Sequence, residues 1–180
     1  MSKLKEPLPA KLIVSLLYKD SAIAQECWKT LDEIWGPFDF LSEIRPFHYT
    51  TYYQKEMGGP LIRRWASFQP LVPQEALMAI KHRVQTLEGQ WSQQEKRQIN
   101  IDPGLLSAER LVLATGKNYS HRIYLGRGVF ADLALLFYQG GYHPLPWTYP
   151  DYQEPEALWM FNKVRDRYLR DLEEKKVLTL

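Results

Sequence analysis

An apolar run near the start of the chain, from Lys11 to Tyr18, places the strongest limit on the fold. After Lys11, only Ser15 interrupts its aliphatic and aromatic residues, and such a run is typical of a strand that is covered on both faces. A helix is predicted to follow, capped by Asp20 and ended by Gly36-Pro37. Its apolar residues recur every three or four positions and are Ala24, Cys27, Trp28, Leu31, Ile34 and Trp35. The chain must therefore place its first strand inside a sheet and pack at least one helix against it.

Later segments repeat strand and helix patterns. Two further helices are predicted to begin at Pro73 and Pro155, because proline suits the first helical turn. The polar stretch 88–98 is interpreted as a frayed helix end followed by a loop. The predicted strands lie within 38–47, 61–68, 99–101 and 110–114 and in a hairpin over 120–138, with Asp102-Pro103-Gly104 turning the chain after residue 101.

This order of elements predicts an α+β fold in a single domain over residues 1–180. The first two-thirds match a β-α-β-β-α-β unit of the ferredoxin-like kind. A hairpin and a C-terminal helix are appended to it. We expect an antiparallel-dominated sheet with helices packed on it.

The hairpin around Gly126-Arg127-Gly128 has two possible registers. A two-residue loop places His121 opposite Asp132, whereas a three-residue loop with a left-handed Gly128 places Arg122 opposite Asp132. A slip of one residue moves every side chain of a strand to the other face. The second register separates apolar from polar residues better, so the sequence predicts an Arg122–Asp132 ion pair across the two strands.

Charge and cysteine content exclude several classes of protein. The 23 lysines and arginines against 21 aspartates and glutamates leave a net charge of +2, too balanced to indicate nucleic-acid or membrane binding by itself. Cys27 is the only cysteine, so no intrachain disulfide can form, and its place in a helical stripe predicts an inert buried thiol. No segment approaches the ~20 apolar residues of a membrane span. A cytoplasmic location without a membrane partner is the expectation.

Several catalytic and binding motifs are absent. No G-x-x-x-x-G-K-[ST] phosphate loop occurs, and the glycines of Gly126-Arg127-Gly128 lie in a hairpin instead of between a strand and a helix. The four histidines lack the spacing of a structural zinc site, so no metal site is predicted. The sequence indicates no particular cofactor.

Two loops, 47–53 and 147–152, concentrate aromatic residues outside the predicted helices and strands. Their Tyr and Trp rings either pack on the body of the protein or form a binding surface, since each carries a polar group that needs a partner. Basic residues near them would allow RNA binding through backbone contacts and base stacking. The near-neutral net charge gives RNA binding only weak support.

Six segments carry a resemblance to a known family over essentially the whole chain. They are 11–18, Thr50–Gly58, Asn100–Gly104, Leu113-Ala114-Thr115, the string SHRIYLG at 120–126 and the string WTYPDY at 147–152. With these segments the sequence resembles the mostly bacterial domain-of-unknown-function family 4416. The resemblance implies no established activity, but it singles out the polar residues of these segments as candidates for one site.

The first functional hypothesis is a small-ligand-binding domain for an anionic or nucleotide-like ligand, with a site formed by segments 47–58, 102–104, 120–132 and 147–152. Its ligand-binding candidates are Tyr53, Lys117, Arg122, Tyr124, Thr148, Tyr149 and Asp151. The alternatives are a hydrolase or phosphoryl-processing enzyme and an RNA- or protein-interaction module. The catalytic candidates of the enzyme are His121, Glu56, Asp102 and Asp132.

Overall fold

The computed structural model describes residues 3–94 and 96–178, with side chains up to residue 174. Its strands are β1 (Ala10–Tyr18), β2 (Phe38–Leu41), β3 (Arg45–Phe47), β4 (Leu61–Val72), β5 (Ser92–Gln93), β6 (Lys96–Arg97), β7 (Ile99–Leu106), β8 (Arg110–Thr115), β9 (Arg122–Gly126), β10 (Val129–Tyr138) and β11 (Gly141–Pro144). Its α-helices are α1 (Ser21–Trp35), α2 (Gln54–Met57), α3 (Leu77–Gln90), α4 (Pro150–Gln153) and α5 (Pro155–Leu178), and a 3₁₀ turn, Gln74–Ala76, precedes α3. No helix in these described stretches has both the length and the hydropathy that a bilayer span requires.

Nine of the strands form one sheet, in the order β11-β10-β8-β7-β1-β4-β2, with β3 added on β4 and β9 on β10. All of its pairings are antiparallel. Strand β4 lies between β1 and β2, and β7 flanks β1 on the other side, which is the split β-α-β arrangement of a ferredoxin-like unit. The α+β fold with an antiparallel sheet is confirmed, and β8 to β11 extend the sheet beyond β7.

Strand β1 is the centre of the sheet and is buried on both faces, as its apolar run predicts. Leu12, Val14 and Leu16 face one side, where they pack in a core with α1 and α3. Ile13 faces the other side, where Trp65 and the buried stripe of α5 cover the sheet. Asp20 caps α1 through hydrogen bonds to the backbone N–H of Ala22 and Ile23.

The predicted turn at Asp102-Pro103-Gly104 is wrong, because these residues lie inside β7. Pro103 stands opposite Val14 of β1 and has no N–H to donate to a second neighbour. The ladder between β7 and β8 is limited to Gly104–Leu106 opposite 111–113. A Cβ on Gly104 would lie 2.7 Å from Leu113 Cδ2 and 2.8 Å from the Val112 carbonyl, so the close approach of β8 requires glycine here. On the N-terminal side of Gly104, residues 99–103 of β7 do not pair with β8, so the two strands separate there and the sheet opens.

Other local predictions also differ from the structure. The stretch 88–98 is not a frayed end, because Glu88 is buried within α3 and Ser92–Gln93 pairs with Lys96–Arg97. The single strand predicted within 38–47 is two strands, β2 and β3, that pair with different parts of β4. Short helices, α2 and α4, occur where loops are predicted. Two- to four-residue elements such as these depend on tertiary contacts instead of a repeating pattern.

The predicted hairpin register is confirmed, since Arg122 pairs with Asp132 and Tyr124 with Phe130. The turn differs in detail: Gly126 pairs with Val129, and an irregularity after this pair restores the register of a three-residue loop. Arg127 and Gly128 occupy the turn at φ +49° and +78°, the left-handed region that suits glycine. The apolar side chain of Ile123 is exposed because β9 is an edge strand that no helix covers.

Candidate functional site

A cleft of about 720 Å³ occupies the opening between β7 and β8. Residues of α3 line one side of it, and the segments 47–53 and 149–152 line the other. The end of β8, the following Gly116 and Lys117, and the tip of the hairpin complete the walls. A volume of a few hundred to 1,000 Å³ is the usual size of a small-molecule site.

Aromatic side chains from the 47–53 segment form one wall. The rings of Tyr52 and Tyr53 meet edge to face at 5.1 Å, and Phe47 contacts Tyr53 at 6.1 Å in the same manner. The Lys117 ammonium lies 4.0 Å from the centre of the Tyr52 ring, a distance at which the ring face attracts a cation. The wall therefore combines flat apolar surface with a positive charge.

Arg63 is the most buried cation of the cleft lining. It lies on β4, and its guanidinium binds the Ser15 hydroxyl of β1 and lies 3.5 Å from Asp102 Oδ2. Its Nε is 3.1 Å from Asp151 Oδ2, and both side chains are almost fully buried. Burial raises the pKa of Asp151, and the neighbouring Arg63 charge opposes that rise. The pair joins the sheet to α4.

A chain of hydrogen bonds continues from Asp102 along the cleft floor. Asn100 Nδ2 donates to Asp102 Oδ2 at 2.7 Å, and Arg97 Nη1 donates to Asn100 Oδ1 at 2.8 Å. Arg97 also donates through Nε and Nη2 to the two carboxylate oxygens of Glu56, each at 2.8 Å. These bonds lower the pKa of Glu56. Glu56 thus holds Arg97 in place and does not itself line the cleft.

Glu88 is a buried carboxylate on the α3 side of the cleft. Its Oε1 accepts a hydrogen bond of 2.6 Å from the backbone N–H of Ile101. Burial raises its pKa to about 7, a rise that Lys81 and Arg97 partly oppose. A carboxyl group that titrates near neutral pH can exchange a proton with a bound ligand.

Arg122 ties three segments around the cleft together. Its Nε donates to Asp132 at 2.8 Å, its Nη1 to the Lys117 carbonyl at 3.0 Å and its Nη2 to the Tyr149 hydroxyl at 3.2 Å. These partners occupy all three guanidinium nitrogens. The geometry thus gives Arg122 a positioning role for Lys117 and Tyr149.

Three other predicted residues lie outside the cleft lining. His121 stacks on Trp147 at 4.7 Å, and its Nε2 lies 3.5 Å from Asp132 Oδ1. Thr148 is buried, where its hydroxyl accepts from the Leu145 N–H and donates to the Ala134 carbonyl. Tyr124 is 60% exposed on the hairpin, and its hydroxyl accepts from the Gly128 N–H.

The structure brings together predicted residues from separate segments, namely Tyr53, Asp102, Lys117, Asp132, Tyr149 and Asp151, all of which line the cleft. Five further charged residues of the lining were not among the predicted ligand-binding or catalytic residues, and these are Arg63, Lys81, Glu88, Arg97 and Arg127. Glu88 had a signal, because it follows Val84 by four residues in the apolar stripe of α3. Through residues 3–94 and 96–178, no three His, Cys, Asp or Glu side chains are placed to hold a metal ion.

Comparison with known proteins identifies a protein family. A family model described as Domain of unknown function (DUF4416) matches residues 8–168, which confirms the resemblance drawn from the motifs. No curated protein matches the chain. No solved structure matches it either.

Proposed function

The chain belongs to the DUF4416 family, and we propose that its cleft binds a small anionic ligand that carries a flat ring, as a nucleotide does. The observation that carries this proposal is the contact at the cleft wall between Lys117 and Tyr52, at 4.0 Å. A cation and an exposed ring at one place offer partners for both parts of such a ligand.

The charges of the cleft support an anion. Five cationic side chains and four carboxylates line it, and Glu56 already engages one of the cations, Arg97. Lys117 and Arg127 have no carboxylate within 4 Å in the part of the chain that the structure describes. Lys81 has only a loose contact of 3.9 Å with Asp102. These three cations are therefore available to an anionic ligand.

The proposal is tested by calorimetric titration with nucleoside 5′-triphosphates and 5′-monophosphates, the matching nucleosides and inorganic phosphate. We expect the nucleotides to bind more tightly than either the nucleosides or phosphate alone, because the ring and the anion have separate partners. Lys117→Ala and Arg127→Ala should each weaken nucleotide binding about tenfold, the effect of one charged hydrogen bond.

Lys163→Ala is the matched control for these variants. Lys163 also lies over an aromatic ring, Trp159 at 5.8 Å, but it is exposed on α5 and does not line the cleft. Its removal should leave nucleotide binding unchanged. Absence of binding by every nucleotide, or an equal loss in Lys163→Ala, would overturn the proposal.

A second candidate, a hydrolase or phosphoryl-processing enzyme, is favoured by Glu88. A carboxyl group with a pKa of about 7 in a ligand cleft suits general acid–base chemistry. His121, by contrast, stacks on Trp147 outside the cleft lining. Release of phosphate from the same nucleotides, abolished in Glu88→Gln, would support this candidate. A short single-stranded RNA in the same titrations tests the RNA alternative.

A further inference from the structure

A second cavity of about 310 Å³ lies beside the cleft. The two cavities share Tyr49, Arg63 and Asp151, so these side chains form a common wall. Segment 43–46 and Glu154 line the far side of the smaller cavity, which we call the side chamber. Only the side chains of this common wall therefore separate a ligand in the cleft from the side chamber.

The common wall contains polar atoms that are buried without a hydrogen bond. Arg63 Nε and Asp151 Oδ2 are 3.1 Å apart, but they are not aligned for a hydrogen bond with each other. Trp65 Nε1, from a residue that lines the chamber, and the Tyr152 hydroxyl, from a residue that lines the cleft, are in the same condition. None of these four atoms has a hydrogen-bond partner among the residues that the structure describes, and all four residues are at least 95% buried. Buried polar atoms nearly always have a partner, which points to a ligand or a water molecule here.

The neighbouring polar groups of the wall are already occupied. The Tyr49 hydroxyl donates to Glu154 Oε1 at 3.0 Å. Arg63 Nη1 binds the Ser15 hydroxyl and approaches Asp102. The unsatisfied set thus consists of two N–H donors, on Arg63 and Trp65, one carboxylate acceptor, on Asp151, and the Tyr152 hydroxyl, which can donate or accept.

This set matches a hydroxyl group better than a charged group. A hydroxyl accepts two hydrogen bonds and donates one, which complements two donors and one acceptor. A phosphate would face the Asp151 carboxylate, and an ammonium group would face the Arg63 cation. Either charged group would lose free energy on burial beside a like charge.

We propose that Arg63, Trp65 and Asp151 bind a hydroxyl group on the sugar of a nucleotide whose ring and phosphate occupy the cleft. A carboxylate that accepts a hydrogen bond from a ribose hydroxyl is a common means of nucleotide recognition. The inference rests on the proposed function, since the same ligand must reach the common wall from the cleft. It adds a preference for ribonucleotides over analogues that lack the sugar hydroxyls.

The experiment compares each ribonucleotide with its 2′-deoxy, 3′-deoxy and 2′,3′-dideoxy analogues by calorimetric titration. The wild-type protein should bind the ribonucleotide about tenfold or more tightly than the dideoxy analogue, because the analogue leaves buried polar atoms unpaired. Asp151→Asn and Trp65→Phe should each reduce that preference below about threefold. Both variants should bind the ribonucleotide more weakly than the wild-type protein does, whereas their affinity for the dideoxy analogue should be unchanged.

Asp166→Asn, at an exposed carboxylate of α5, is the control and should keep the full preference. Circular dichroism and urea unfolding establish that each variant is folded, and Trp65→Phe provides a second test without a change of charge. Equal wild-type affinity for the ribonucleotide and the dideoxy analogue would overturn this inference. The cleft proposal would still stand, and a water molecule would then be the partner of the unpaired atoms of Arg63, Trp65 and Asp151. Absence of binding by both would overturn the proposed function and this inference with it.

Discussion

Lys11 and Arg63 are two buried cations on the same face of the sheet, the face that α5 covers, and they differ in how completely they are paired. Lys11 forms ion pairs with Asp39 and Asp171. Those carboxylates also bind other donors, the Ser67 hydroxyl at Asp39 and Arg167 at Asp171. Arg63 binds Ser15 and lies beside Asp151 and Asp102, but its Nε and the Asp151 Oδ2 lack aligned partners.

The comparison separates a structural charge cluster from a candidate binding cluster. A buried charge is tolerated when its partners satisfy it, and Lys11 meets this condition inside closed packing. Arg63 lies between two cavities, where part of its hydrogen-bonding capacity faces open space. Lys11 and Arg63 are both buried and both positively charged. Only the unsatisfied atoms and the adjoining cavities make Arg63 a candidate for ligand binding.

The largest effect is expected from Lys11→Met, which leaves two carboxylates without their shared cation. The free energy of unfolding should fall by about 5 kcal/mol, the upper end for breaking a buried ion pair. Urea unfolding measures this loss. Lys29→Met is the control, because Lys29 pairs with Glu33 at the surface at 4.0 Å and should contribute under about 0.5 kcal/mol. Equal losses in the two variants would contradict the structural role of Lys11.

A smaller and pH-dependent loss is expected from Arg63→Met. Without Arg63 the pKa of Asp151, already raised by burial, should rise further. With a raised pKa, Asp151 stays protonated to a higher pH in the folded protein than in the unfolded chain. The free energy of unfolding therefore falls as pH rises from the unfolded to the folded pKa of Asp151. The loss relative to wild type should be about 3 kcal/mol at pH 8 and less at pH 5. A loss that is constant between these pH values would show that Asp151 is not the group that Arg63 stabilises.

The smallest of the three effects concerns Glu88, a buried carboxyl on the α3 side of the cleft. Its pKa is about 7 in the folded protein, against an ordinary value of 4.5. The free energy of unfolding therefore falls as pH rises from about 4.5 to about 7, because the folded protein resists ionisation of Glu88 and the unfolded chain does not. Glu88→Gln keeps an acceptor for the Ile101 N–H and removes the ionisation. The variant should gain up to about 2 kcal/mol over wild type at pH 8 and little at pH 5.

Glu109→Gln is the counterpart for that measurement. The Ser107 hydroxyl lowers the pKa of Glu109, so its ionised form is favoured by folding. Its replacement should therefore cause a loss that grows from acid to neutral pH, opposite in direction to Glu88→Gln. If the free energy of unfolding of both variants, relative to wild type, changed in the same direction with pH, burial would not be the cause of the raised pKa of Glu88.

Much of the fold follows from local patterns in the chain. The apolar run of β1, the capped stripe of α1 and the proline starts before α3 and at α5 each repeat one signal over many residues. The Arg122–Asp132 pair follows from the alternation of faces in the hairpin. Asp102-Pro103-Gly104 was mistaken for a turn because proline and glycine usually mark turns. Here Pro103 and Gly104 instead mark the place where β7 begins to pair with β8.

The candidate site is only partly readable from the chain. Segments 47–53, 102–104 and 147–152 supply residues that do meet at the cleft. Thr148 of the last segment and Tyr124 of the 120–126 motif are instead engaged by neighbouring backbone groups. Arg63 and Glu88 were not among the predicted ligand-binding or catalytic residues, because a charged residue in a strand or helix resembles a solvated surface position. Their burial depends on which elements cover them.

The α+β class, the central first strand, the hairpin register and the family can be read from the amino-acid sequence, because each depends on patterns within short segments. Three features emerge only in the folded protein: β7 and β8 separate, a cleft fills the gap, and Arg63 and Asp151 meet beside a second cavity. These features arise from contacts between residues far apart in the chain, such as the contact between Arg63 and Asp151. The free energy of such contacts depends on burial and alignment, which no local pattern specifies.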